Sequence, residues 1–134
     1  MSEHIHVLKI KKELIDKIDF NDVHVVTLAT KYKAEFAEFN GRLDSIGRRL
    51  SNIVTTGKKL SNYRFPVTVK NKTLKNYFVD ESNYWGEVIT NMLNDGESED
   101  NFYFSFVIKW KKAIDETIKF IDNVKDDEVL ILTI

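Results

Sequence analysis

Residues 25–53 read VVTLATKYKAEFAEFNGRLDSIGRRLSNI and contain the strongest periodic signal in the chain. Apolar residues recur here at alternating steps of three and four, the spacing that places side chains on one face of an α-helix. The recurring positions are Val25, Ala29, Tyr32, Phe36, Phe39, Leu43, Ile46, Leu50 and Ile53. This spacing predicts one long, coiled-coil-like central helix over about residues 22–56.

The dipeptide Asn40-Gly41 lies in the middle of this stripe, and glycine commonly follows the C-terminus of a helix. Because the three-four rhythm continues unchanged across it, we expect one helix with a bend rather than two helices. An alternative interpretation makes residues 23–28 a β-strand, since they are rich in Val and Thr, and begins the helix near Ala29. Both interpretations end the helix near Gly57.

Short runs of apolar residues predict strands elsewhere in the chain. Residues 4–10 and 128–134 predict an N-terminal and a C-terminal strand, which we expect to pair with each other. Residues 63–70 and 73–79 alternate and predict a hairpin that turns at Asn71-Lys72. Pro66 places the first arm of that hairpin at a sheet edge, because proline cannot donate to a central ladder.

Two further helices are predicted in the C-terminal half of the chain. The first is capped by Asp80 or Ser82 and stops just before Gly96, in agreement with the residues that usually begin and end helices. The second covers residues 101–124, although its beginning, residues 102–108, also fits a strand.

Length and composition indicate a folded domain. The chain has 134 residues, of which 43% are hydrophobic and 31% charged, with one Pro and five Gly. It has no cysteine, which excludes disulfides, zinc–cysteine sites, iron–sulfur clusters and thiol nucleophiles. We predict a single α+β domain over residues 1–134, in which the long helix packs with two further helices and a small antiparallel sheet that includes the N- and C-terminal strands.

No segment of the chain is predicted to insert into a membrane. The N-terminus lacks the basic and apolar regions of a signal peptide. The longest nearly uncharged apolar run, residues 102–108, is far shorter than the roughly 20 residues that span a bilayer. We therefore expect a cytoplasmic protein, and its Lys/Asn/Ile-rich, Arg-poor composition is common in low-GC bacteria and their phages.

Charge is segregated along the chain although the net charge is only −1. Residues 31–80 hold eleven Lys/Arg against four Asp/Glu, whereas residues 81–134 hold five against twelve. All four arginines lie between positions 42 and 64, and arginine offers phosphate and carboxylate groups a planar fork of donors. The candidate binding residues are Arg42, Arg48, Arg49, Lys58, Lys59, Tyr63 and Arg64.

The basic Arg/Lys block over residues 42–75 predicts a non-enzymatic binding protein that engages an anionic partner. Nucleic acid is the first candidate partner, and a nucleotide-like ligand or an acidic protein surface is the second, because charge alone does not separate them. The alternatives are a small enzyme of unknown class and a purely structural homo-oligomer whose basic and acidic halves pair with each other.

The length of the predicted helix favours a homo-oligomer, most simply a dimer. A helix over residues 22–56 extends roughly 50 Å, whereas a compact domain of this size is about 35 to 40 Å across. The apolar stripe continues along the whole helix, so a second copy is the simplest cover for the overhanging part.

Neither the histidines nor the acidic loop predicts a metal site. His4 and His6 share one face of a strand, but only His24 is left as a third imidazole. The acidic loop over residues 95–100 lacks the spacing of a calcium site. There is no phosphate loop or nucleophile elbow, so no catalytic residue and no cofactor is predicted. The large aromatic residues are interpreted as core or interface positions: Trp85, Trp110 and residues 102–106.

Overall fold

The computed structural model describes residues 2–22, 24–42, 53, 57–63 and 65–133, with the backbone alone at 2–5, 22, 25 and 38–42. The helices and strands are β1 (Ser2–Lys11), α1 (Val25–Lys31), β2 (Glu35–Arg42), β3 (Val67–Val69), α2 (Asn71–Asn94), α3 (Phe102–Asp122) and β4 (Glu128–Thr133). Two 3₁₀ segments, Lys12–Lys17 and Phe20–Asp22, lie between β1 and α1. The predicted α+β class is confirmed.

The four strands form one antiparallel sheet in the order β2-β1-β4-β3. Leu8 of β1 pairs with Phe36 of β2 on one side and with Ile131 of β4 on the other. The predicted pairing of the N-terminal and C-terminal strands is therefore confirmed. Pro66 directly precedes β3, which is an edge strand, as expected for a residue without a backbone donor.

Both faces of the sheet are buried, because its central strands are apolar at consecutive positions. Val7, Leu130 and Leu132 face α2 and α3, whereas Leu8 and Ile131 face α1 and the 3₁₀ segments. The long helices contribute Leu74, Tyr77, Phe78, Ile114 and Ile121 to the first core. Ile18, Phe20, Leu28 and Ala34 complete the second core. The domain therefore has three layers, with the sheet in the middle.

The prediction of one helix over residues 22–56 is wrong in its first half. α1 ends at Lys31, Lys33 adopts a left-handed φ of 55°, and the chain continues as β2. The three-four rhythm was misleading, because every residue from Glu35 to Arg42 is paired with β1, and this ladder satisfies backbone groups that a helix would otherwise pair. Residues 43–52 and 54–56 lie outside the described part of the chain.

The alternative interpretation of this region is also wrong. It placed a strand at residues 23–28 and a helix from Ala29, whereas residues 25–31 form α1 and the strand follows it. The order of helix and strand is thus the reverse of the expected one. With the long helix absent from residues 32–42, the length comparison no longer supports a homo-oligomer.

The predicted hairpin over residues 63–70 and 73–79 is wrong, since its second arm is the first part of α2. Leu74, Tyr77 and Phe78 follow helical spacing and are all buried. Period-two alternation in this short segment was therefore a chance pattern within a period of 3.6.

The two long helices are otherwise close to their predicted positions. α2 begins at Asn71, about three turns before the helix start expected from the predicted caps Asp80 and Ser82, and it ends before Gly96 as expected. α3 confirms the helix predicted over residues 101–124 and excludes a strand at its beginning. None of the described helices is long and apolar enough to cross a bilayer.

Candidate functional site

Four of the seven predicted binding residues lie in the described part of the chain. Arg42 ends β2, where its backbone is opposite Ser2 of β1. Lys58, Lys59 and Tyr63 lie on the segment that leads into β3. Three arginines lie outside the described residues: Arg48, Arg49 and Arg64. The prediction that arginines bind the partner therefore stays untested.

The segment containing Lys58 and Lys59 extends the sheet beyond β3. The amide of Thr68 donates to the carbonyl oxygen of Lys58 at 2.9 Å, and the amide of Lys58 donates to the hydroxyl of Thr68 at 3.1 Å. Lys59 forms an isolated β-bridge with Val67. Both lysines are exposed, so the backbone fixes their positions while their ammonium groups stay in solvent.

Two further lysines follow β3 directly, at the start of α2. Lys70 is the N-cap residue of this helix, and Lys72 lies in its first turn. Both are exposed. We name the residues Lys58, Lys59, Tyr63, Lys70 and Lys72, which lie on the segments before and after β3, the basic edge. The sequence analysis included Lys70 and Lys72 in the basic block over residues 42–75 but not among the candidate binding residues.

The turn that carries Tyr63 is held by side-chain hydrogen bonds. The hydroxyl of Ser61 donates to the carbonyl oxygen of Phe65 at 2.7 Å and accepts from the amide of Tyr63 at 3.1 Å. The amide of Asn62 donates to the side-chain oxygen of Asn21 at 2.7 Å, which fixes the turn to the second 3₁₀ segment. Tyr63 is 68% exposed, so its ring is available to a partner.

The lysines at the start of α2 lie where positive charge is unfavourable. A helix N-terminus carries a partial positive charge, and the first turn of α2 has no acidic residue to balance it. Among the described residues, no carboxylate lies within ion-pair distance of Lys70 or Lys72. Lys75, one turn further on, binds Asp122 of α3 at 2.7 Å. Positive charge is therefore compensated inside the helix pair but not at the basic edge.

The other end of α2 is acidic. We name the loop of residues 95–100, with its carboxylates Asp95, Glu97, Glu99 and Asp100, the acidic tip. The side chain of Asn101 caps α3 by accepting from the amides of Tyr103 and Phe104 at 2.9 and 3.2 Å. The same side chain donates to Glu97 Oε2 at 2.8 Å, so the cap also fixes the loop.

Aromatic rings from α2 and α3 form a continuous cluster near the acidic tip. Trp85 stacks on Trp110 with ring centroids 5.3 Å apart, and Tyr84 contacts Trp85 edge-on at 5.1 Å. Phe106 contacts Trp110 edge-on at 5.2 Å. Phe102 lies one turn before Phe106 and is 88% exposed. We name these five residues the aromatic face; the sequence analysis assigned all of them except Tyr84 to core or interface positions.

A hydroxyl, a carboxylate and an ammonium group meet between the two helices. Ser82 Oγ donates to Asp115 Oδ1 at 2.6 Å, and Lys111 Nζ donates to Asp115 Oδ2 at 2.7 Å. Burial acts to raise the pKa of Asp115, but the hydrogen bonds from Lys111 and Ser82 and the charges of Lys111 and Lys119 outweigh it and lower the pKa. A carboxylate of low pKa is too weak a base to activate a serine. This arrangement ties α2 to α3 and does not indicate catalysis.

The histidines lie where the strand prediction put them. His4 and His6 are on β1, and the ring of His6 contacts Phe36 edge-on with centroids 5.9 Å apart. His24 is the exposed N-cap residue of α1. Within the described ranges, no group of three or more His, Cys, Asp or Glu side chains is arranged to hold a metal ion.

No protein-family model, curated protein or solved structure matches this chain. Residue roles therefore cannot be transferred from a relative. The charges, exposure and contacts described above are the basis on which a function can be inferred.

Proposed function

We propose that the chain is a non-enzymatic binding protein that engages an anionic partner through the basic edge. The main support is the position of Lys70 and Lys72 at the N-terminus of α2, where each cation costs about 0.3–1 kcal/mol. An Asp, Asn or Ser at the N-cap would be more stable by about 1 kcal/mol. Positive charge that opposes local stability supports a role in recognition.

Nucleic acid is the first candidate for this partner. The lysines supply point charges for phosphates, and the exposed ring of Tyr63 supplies a stacking surface for a base. Stacking on an aromatic side chain contributes about 1–3 kcal/mol per base in proteins that bind single strands. A nucleotide-like ligand or an acidic protein surface offers the same charge, so the experiment must distinguish all three.

The test is fluorescence anisotropy with three labelled probes: a single-stranded oligonucleotide, a nucleotide and a poly-glutamate peptide. We expect the oligonucleotide to bind most tightly and its affinity to fall steeply with salt, because counterions are released from its phosphates. The double variant Lys70→Asp with Lys72→Glu should weaken binding at least tenfold. Tyr63→Ala should lower the affinity for the oligonucleotide more than the affinity for the peptide.

The matched control is Lys12→Glu with Lys17→Glu, which changes two exposed lysines of the first 3₁₀ segment and leaves the basic edge intact. This control has nearly the same change in net charge and should retain most of the affinity. If both double variants lose affinity equally, binding is a general charge effect and the proposal is wrong. If poly-glutamate binds most tightly of the three probes, the partner is an acidic protein surface and not nucleic acid.

The competing proposal is a homo-oligomer whose basic and acidic halves pair with each other. The ion pair between Lys75 and Asp122 joins the basic and the acidic half within one chain, and the oligomer proposal extends this pairing to a second copy. Light scattering on the purified chain at rising salt tests it, since the monomer has a mass of 15.7 kDa. A dimer that dissociates with salt would favour the oligomer, whereas a monomer at all salt concentrations would exclude it.

A further inference from the structure

The aromatic face combines partly buried rings, Trp85 and Trp110, which pack against the first core, with exposed ones. On α3, Thr117 is 1% exposed, but the same helix face continues to Phe106 at 45% and Phe102 at 88%. On α2 the buried residues are confined to the first eight positions, and Tyr84, six residues beyond Phe78, is 57% exposed. One apolar surface therefore continues from the core-packed rings of Trp85 and Trp110 to exposed rings on both helices.

An exposed aromatic cluster of this kind usually marks an interaction site. Large aromatic side chains are enriched where one protein contacts another, because each buries a large area with little loss of rotamer freedom. Here the rings of Tyr84, Trp85, Trp110 and Phe106 already contact one another in sequence. Their positions are fixed before any partner arrives, which lowers the entropic cost of binding.

The charges around this face indicate the chemistry of the partner. Asp80, Glu81 and Glu87 lie three or four residues from Tyr84 and therefore on the same side of α2. The acidic tip closes one end of the face, and Lys109 on α3 is the cation three residues from Phe106. A partner that contacts the aromatic face must thus be apolar on one side and basic around it.

We propose that the aromatic face is the docking surface for a basic amphipathic helix of a partner protein. Two adjacent antiparallel helices form a groove into which a third helix packs by its apolar side. Lysine or arginine side chains on the edges of that third helix would contact the carboxylates along α2 and at the acidic tip. The proposal is independent of the basic edge and concerns a partner of opposite charge.

Other occupants fit the surrounding charges less well. Nucleic acid and anionic lipid surfaces are repelled by the carboxylates around the face. A second copy that faces the first with a two-fold axis brings together either the two acidic tips or the two acidic sides of α2. A basic helix is the occupant that meets opposite charge along the edge of α2 and at the tip.

The chain carries its own probe for this interaction. It contains two tryptophans, Trp85 and Trp110, and both belong to the aromatic face. The probe ligands are two synthetic amphipathic helical peptides of equal length, one of Leu and Lys and one of Leu and Glu. We expect the Leu/Lys peptide to shift tryptophan emission to shorter wavelength in a saturable manner, and the Leu/Glu peptide to leave it unchanged.

Two variants of the protein test the two parts of the surface. The variant Phe102→Ala with Phe106→Ala removes two exposed rings of the aromatic face. The variant Glu87→Lys with Asp95→Lys reverses the charge at the border of this face. Each variant should weaken binding of the Leu/Lys peptide at least tenfold. Val26→Ala is the matched control, because Val26 is 70% exposed on α1, on the other side of the sheet. Circular dichroism verifies that each variant remains folded.

Equal binding of both peptides, or unchanged binding by the phenylalanine variant, would overturn the proposal. If the protein alone shows a concentration-dependent emission shift and a doubled mass by light scattering, the aromatic face binds a second copy of the chain instead of a partner helix. The variant Lys70→Asp with Lys72→Glu should leave peptide binding intact. Failure of this inference is therefore distinguishable from failure of the basic edge to bind an anion.

Discussion

The two halves of α2 differ in charge and in burial. The first half begins with Lys70, Lys72 and Lys75 and contains every buried residue of the helix, whereas the second half leads into the acidic tip and has none. Cations near a helix N-terminus and anions past its C-terminus both oppose the helix dipole. The comparison shows that the first half anchors the helix in the core, whereas the second half is partly or fully exposed and contacts the core through Trp85.

The same substitution in the two halves of the helix pair should have very different costs. Phe78→Ala removes a ring that is 0% exposed and should lower the free energy of unfolding by about 3–5 kcal/mol. Phe102→Ala removes a ring that is 88% exposed and should change it by less than about 0.5 kcal/mol. Urea denaturation measures both, and comparable losses would mean that the ring of Phe102 is also buried.

Reversing the charge at the N-terminal end of α2 should raise the free energy of unfolding. Lys70→Asp with Lys72→Glu supplies an N-cap acceptor and a favourable dipole interaction, together about 1 kcal/mol or slightly more. Lys75→Glu is the contrasting variant, because it breaks the ion pair with Asp122 and should not stabilise. Thermal denaturation at low salt compares the three proteins, and a double variant less stable than wild type would show that these lysines have a structural role.

The link between the helices should depend on pH through Asp115. Its pKa is lowered in the folded state, so the stabilisation is complete above the ordinary carboxyl pKa and is lost as pH falls through the lowered value. Because Asp115 is partly exposed, we expect Asp115→Asn to cost only about 0.5–1 kcal/mol at neutral pH. Melting temperatures of both proteins between neutral and strongly acid pH should converge at the acid end, and a constant difference would contradict this assignment.

The smallest effect is expected at the acidic end of α2. Asp95→Lys replaces an anion by a cation at the C-cap of α2 and should stabilise the helix by about 0.3 kcal/mol. Glu87→Lys is a suitable control, because Glu87 is also exposed but lies eight residues before the C-cap, outside the last turn of α2. Equal effects in thermal denaturation would indicate a change in overall charge rather than an interaction with the helix dipole.

The predictable part of the fold was the part where local pattern and tertiary contacts agree. Val7 and Leu8 in β1 and Leu130 to Leu132 in β4 form continuous apolar runs, which is typical of strands buried on both faces, and these strands pair as expected. The prediction for residues 25–42 was wrong because the spacing of their apolar residues fits a helix. The pairing of this segment with β1 is a long-range contact, which a local sequence pattern does not reveal.

The candidate site was predictable only in part. Lys58, Lys59 and Tyr63 were identified from charge and aromatic content, but the contribution of Lys70 depends on the helix start that the hairpin prediction concealed. The aromatic face had a usable signal, since Phe102 and Phe106 lie on one side of α3 while Phe104 and Val107 lie on another and are the buried ones. A helix with apolar residues on more sides than one core can cover exposes some of them.

The central position of β1 and β4 in the sheet has a consequence for the order in which the chain folds. These strands are distant in sequence, since Lys11 and Asp127, which form an ion pair, are 116 residues apart. The β1–β2 pair can form before β4 is made, but during synthesis the other edge of β1 has no partner until β4 has left the ribosome. Contacts of such high sequence separation slow folding. Before β4 is added, the unpaired edge of β1 is the site at which newly made chains are most exposed to aggregation.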